Sequence, residues 1–105
     1  MTGEFNPETI VFFENRLTAL SEARVGILTH ALNFGTGVFE GIRGYWNEPE
    51  SQLFLMRARE HFLRWKQNCG ILRIEVPPSA AELGELTADL VRRNGFDEEI
   101  GRAHV

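Results

Sequence analysis

Cysteine is almost missing: Cys69 is the only one in 105 residues. No internal disulfide and no cysteine-rich metal site can form. That fits a reducing compartment, and a cytoplasmic location is the expectation. Positive charge is in deficit, with 11 Lys and Arg against 15 Asp and Glu and a formal net charge of −4. A chain of that sign has no general attraction for nucleic acid or for an anionic membrane. No apolar run approaches the roughly 20 residues of a membrane span. Met1-Thr2-Gly3-Glu4-Phe5 has neither the basic nor the apolar region of a signal peptide. Lysine is scarcer still, since Lys66 is the only one. What remains is the ordinary composition of a globular protein, 43% hydrophobic and 25% charged. A chain this short makes one small domain with a modest core, so its stability is expected to be marginal.

The apolar pattern sets the order of elements. Ile10–Phe13 is rich in β formers, Glu14-Asn15 can turn it, and Arg16–Leu20 returns, which predicts a β-hairpin. Val25–Leu28 is apolar and is expected to be extended. Thr29 is placed to cap a short helix over His30–Phe34 that Gly35 ends. Val38–Trp46 alternates and predicts a strand. The cluster Asn47-Glu48-Pro49-Glu50-Ser51 turns the chain, and Gln52–Met56 is its partner strand.

Arg57–Leu72 is helical in period, with Phe62, Trp65, Cys69 and Leu72 as the buried stripe and Arg57, His61, Arg64 and Asn68 on a polar one. Pro77-Pro78-Ser79 breaks the chain. Ser79 with Glu82 is a capping-box pattern, Leu83, Leu86, Leu90 and Val91 give an apolar face, and Asn94-Gly95 is a stop. Ile100–Val105 has neither helical nor strand patterning. It can be encoded as ATC GGA AGA GCA CAC GTC, part of a common sequencing adapter. Residues 100–105 are therefore expected to be a non-native tail rather than a frayed terminus.

The richest stretch is His30–Tyr45, which holds Gly35, Gly37, Gly41 and Gly44. On a strand, Phe39, Gly41, Arg43 and Tyr45 fall on one face. An aromatic wall, a gap and a guanidinium in a row suit a small molecule with an apolar part and an anionic part. On spacing alone, a twisted strand with Arg43 in solvent is the plainer account. His30 has no nucleophile or carboxylate at recognisable spacing and is read as structural. His61 is read as a solvated or hydrogen-bonded helix residue, and Cys69 as core. The glycines do not form a dinucleotide fingerprint, and no metal-ligand cluster is present.

His30-Ala31-Leu32, Phe34-Gly35-Thr36 and Phe39-Glu40-Gly41-Ile42-Arg43, followed by Arg59-Glu60-His61-Phe62-Leu63-Arg64, resemble the class IV, or fold-type IV, pyridoxal-phosphate-dependent aminotransferases. Within them the branched-chain amino-acid aminotransferases are most similar. The resemblance runs from about Val11 to about Phe96. It implies an α/β (α+β) fold, mainly an antiparallel sheet with packed helices, and makes residues 1–99 the small N-terminal domain. It implies pyridoxal 5'-phosphate as cofactor and amino-acid and 2-oxo-acid substrates. It also implies a homodimer or higher homo-oligomer for the whole enzyme, with no nucleic acid and no membrane.

The same resemblance makes Arg64 the phosphate ligand, and a guanidinium on a rigid helix suits that task. It makes Phe34, Phe39, Gly41 and Arg43 the substrate side. Phe34 stands where many branched-chain enzymes carry a tyrosine, so a hydrogen bond to a substrate carboxylate is lost. The imine-forming lysine such chemistry requires is absent, because Lys66 lies off the polar stripe. These residues alone are expected to be inactive. The implied reaction moves an amino group between a branched-chain L-amino acid and 2-oxoglutarate. A D-amino-acid aminotransferase, an R-selective amine transaminase, an aminodeoxychorismate lyase and a non-catalytic small-ligand-binding domain of the same shape remain open.

Overall fold

A computed structural model describes residues 6–95 and the backbone of residues 100–104. The first element is the antiparallel hairpin of β1 (Ile10–Phe13) and β2 (Arg16–Ala19), paired from Ile10 with Ala19 to Phe13 with Arg16. Glu14 and Asn15 both take positive φ, 49° and 67°. That is the left-handed two-residue turn whose twist matches paired strands. One turn of 3₁₀ helix, Leu20–Glu22, follows. The extended run expected over residues 25–28 is broken by a turn at Ile27 and Leu28, closed by the Thr29 amide donating to the Gly26 carbonyl at 3.0 Å, and Val25, Ile27 and Leu28 are exposed. Without a neighbouring strand, an apolar run has no ladder to join.

Helix α1 spans His30–Phe34 and ends on Gly35 at φ 67°. Thr29 occupies the capping position, but its side chain makes no capping bond. Strands β3 (Gly41–Asn47) and β4 (Gln52–Leu55) form the second hairpin, in register from Gly44 with Leu55 to Asn47 with Gln52. Strand β5 (Ile100–His104) pairs with the other edge of β3, giving the antiparallel order β4-β3-β5. The sequence pattern assigned no strand there. Backbone hydrogen bonds need no side-chain alternation, so a weakly patterned segment can complete a sheet edge.

Helix α2 (Ala58–Ile71) and helix α3 (Ala80–Asn94) pack on one another. Ile42 of β3, Phe62 of α2 and Ala80 and Leu83 of α3 make the core, with Leu55, Ala58, Trp65 and Val76 against it. The Phe62 and Trp65 rings meet edge to face at 6.1 Å. Trp65 Nε1 donates to the Val38 carbonyl at 3.0 Å, which ties α2 to the approach to β3. Cys69 is buried as expected, whereas Leu72, at the C-terminal end of α2, is exposed. The apolar stripe leaves the core once the helix stops.

Ser79 and Glu82 close the capping box in both directions, at 3.1 and 3.4 Å. Asn94 clamps the other end of α3 to the first hairpin. Its Nδ2 donates to the Ile10 carbonyl at 2.8 Å, and its Oδ1 accepts from the Ile10 amide at 2.7 Å. One side-chain amide thus takes the place of a strand partner along β1.

Candidate functional site

Strand β3 positions the site by alternation. Glu40, Ile42 and Gly44 are buried, while Phe39, Gly41, Arg43 and Tyr45 are exposed. The expected outward row is therefore present, although the strand proper begins at Gly41 rather than Val38. Arg43 Nη1 donates to the Tyr45 hydroxyl at 3.4 Å. An open concavity is lined by Gly41, Arg43, Tyr45 and His61. Two of the four expected substrate-side residues, Gly41 and Arg43, meet there. Phe39 lies on the same outward row but does not line the concavity. Phe34 lies apart on α1, packed on the His30 ring with centroids 4.7 Å apart. His30 Nδ1 lies 3.4 Å from the Thr36 hydroxyl.

Helix α2 brings His61 and Arg64 to the inward-facing Glu40. Arg64 Nε donates to Glu40 Oε2 at 3.1 Å, and Arg64 Nη2 donates to Oε1. This is a side-on fork of two parallel bonds. His61 Nδ1 lies 3.0 Å from the same Oε1. Only 7% of Glu40 is exposed, against 62% of the Arg64 side chain. The hydrogen bonds from Arg64, and then from His61, hold the Glu40 carboxyl at about 2, below its ordinary 4.5, against the opposing pull of burial. Glu40 in turn raises the affinity of Arg64 for its proton. An arginine has five N–H donors, and the fork uses two. Three remain on the side away from Glu40.

Sequence reasoning missed Glu40. It stood inside a quoted motif, yet an acid on the inward face of a strand is costly unless paired, and that was the available signal. His61 links the two halves of the site, lining the concavity and bonding Glu40. Lys66 is elsewhere, with Nζ donating to the Pro78 carbonyl. Burial pushes the Cys69 thiol up, away from the thiolate a nucleophile needs. Among the described residues no three His, Cys, Asp or Glu side chains gather as metal ligands. No helix there is long and apolar enough to cross a membrane.

No protein-family model matches the chain. A probable branched-chain-amino-acid aminotransferase of Aquifex aeolicus is 40% identical over 89 residues, covering 85% of this chain and 29% of that protein. The branched-chain aminotransferase of Thermoproteus uzoniensis, solved with norvaline, superposes with a TM-score of 0.83 at 38% identity, covering 91% of this chain and 31% of that one. The branched-chain amino acid aminotransferase of Thermobaculum terrenum, solved in its PLP-bound holo form, gives a TM-score of 0.80 at 28% identity, covering 93% and 32%. Fold and sequence together relate the chain to the fold-type IV family. Its relatives there are the branched-chain amino-acid aminotransferases, and it matches the N-terminal part of their structures. The chain spans about three-tenths of their length.

Proposed function

We propose that this chain is the N-terminal part of a pyridoxal-phosphate-dependent transaminase acting between a branched-chain L-amino acid and 2-oxoglutarate. The observation that carries the reading is the rigid α2 helix presenting a forked, half-open Arg64 beside the strand that bears Arg43. The bound cofactor would supply the electron sink on which amino transfer depends. The residues present fit its phosphate: Arg64 keeps three N–H donors unengaged and Glu40 fixes the other two. Phe34, Phe39, Gly41 and Arg43 belong to the substrate side in this reading, with Arg43 able to meet a carboxylate. Phe34 in place of tyrosine leaves that carboxylate one donor fewer, which keeps the other class IV transaminases and the lyase as rival substrate readings.

Transamination further requires a lysine, and Lys66 is engaged with the Pro78 carbonyl on the way to α3. In this reading the catalytic lysine lies beyond residue 105, and the homo-oligomer is a property of the full-length enzyme. Genomic sequence continuing from Glu99 is the direct test. A second, lysine-bearing domain is expected, and the same read decides whether residues 100–105 are native. A stop codon at that point, with no second domain, would overturn the enzyme reading in favour of a small-ligand-binding domain.

A further inference from the structure

We propose that Glu40 is a positioning residue, whose buried carboxylate holds the Arg64 guanidinium side-on so that its remaining donors form a preset cradle for a phosphate. The inference rests on the reading that Arg64 takes that phosphate, and goes beyond it by assigning the group that aims the arginine. Three observations carry it. The fork engages Nε and Nη2, which leaves both Nη1 donors and one Nη2 donor pointing away from Glu40. The carboxylate is buried to 7% exposure while the Arg64 side chain is 62% exposed, so the anchor is inside and the unengaged donors are outside. Finally, His61 occupies Oε1 from one turn earlier on α2, so Glu40 is held from a second position and cannot follow a swinging arginine.

The opposite consequence is equally physical and must be excluded. Glu40 also neutralises Arg64, and a neutralised arginine attracts an anion less. The two roles give opposite signs when the charge of Glu40 is removed without changing its shape. Glu40→Gln should weaken phosphate binding if Glu40 positions Arg64, and strengthen it if Glu40 merely neutralises. The expected loss is about three- to tenfold, the entropic effect of letting one long side chain move again.

The test uses the full chain with inorganic phosphate as probe, read by NMR at the Arg64 Nε–H. The wild type, Arg64→Ala and Glu40→Gln are titrated with phosphate, following backbone amides of α2 where Arg64 is absent. A large loss in Arg64→Ala with a three- to tenfold loss in Glu40→Gln supports the proposal. A large loss in Arg64→Ala with equal or tighter binding in Glu40→Gln overturns the positioning role and leaves the phosphate reading standing. Unchanged binding in Arg64→Ala removes the phosphate reading and the proposal with it. A second measurement needs no variant: the order parameter of the Arg64 Nε–H in the wild type should approach that of rigid backbone, about 0.85, while the exposed Arg59 stays below about 0.6. An Arg64 Nε–H as mobile as that of Arg59 overturns the proposal even if Glu40→Gln fails to fold.

Discussion

Replacing Phe62 by alanine tests the core that carries Arg64. The side chain is 1% exposed and lies between Ile42, Ala80 and Leu83. Its ring meets Trp65 edge to face at 6.1 Å, a contact that alanine abolishes. Buried Phe→Ala changes cost about 3–5 kcal/mol, because lost transfer energy and a residual cavity add. A value of about 4 kcal/mol is expected here, since β3, α2 and α3 all wall the site and none can close it alone. Urea unfolding followed by circular dichroism reads the effect. With a slope of about 2 kcal/mol/M, the midpoint should fall by about 2 M. Against a total stability at the low end of about 5–15 kcal/mol, the variant sits near its unfolding threshold at 25 °C. Leu63→Ala, one residue along the same helix but 46% exposed, is the control and should cost under about 1 kcal/mol. The reasoning is refuted if Phe62→Ala moves the midpoint by less than about 0.5 M, or if the two variants cost the same.

Other outcomes follow from single features. Ser79→Ala removes the capping box of α3 and should cost about 1 kcal/mol, seen as a melting temperature lower by about 4–8 °C. Gly95→Ala forces a Cβ onto a residue at φ 64° and should cost about 1 kcal/mol by urea unfolding, with α3 otherwise intact by circular dichroism. The Glu40 carboxyl is depressed to about 2 from 4.5, so the stability it adds is present above pH 4.5 and is lost as pH falls toward 2. Thermal melts of wild type and Glu40→Gln should accordingly converge across that window, and a gap that widens in acid contradicts the assignment. Borohydride reduction of the chain with pyridoxal 5'-phosphate should leave no strong adduct at Lys66, by peptide mass spectrometry, because its ammonium is engaged by the Pro78 carbonyl.

Local chemistry was legible in the residues, and distant chemistry was not. The Glu14-Asn15 turn, the Ser79–Glu82 box and the Gly35 and Gly95 stops are written within four residues, and each forms where the pattern puts it. The alternation of β3 likewise needed only a period of two, so Gly41 and Arg43 were placed on the outward row before any geometry. Glu40 was not assigned a role, because His61 and Arg64 stand 21 and 24 residues away and nothing on β3 announces them. The family resemblance presents Arg64 as a cation looking for a phosphate. The fold shows it already half satisfied by an internal carboxylate. Strand β5 escaped notice for a different reason: it is held by backbone pairing with β3, which leaves little trace in side-chain pattern.

The clamp of Asn94 on Ile10 has a kinetic consequence. It joins residues 84 apart, and closing a loop of that size costs on the order of 4 kcal/mol in chain entropy. Its two hydrogen bonds return about 1 kcal/mol each. The first hairpin therefore cannot nucleate the domain by finding α3 in an open chain. It docks after α2 and α3 have collapsed on β3, when most of the closing entropy has already been lost. By the same reckoning it is the first piece to detach from the native state, opening as a unit while the Phe62 core stays shut. The amides of residues 10–19 should then exchange with solvent deuterium well before those of α2, and Asn94→Ala should accelerate the hairpin's exchange while leaving α2 protection in place.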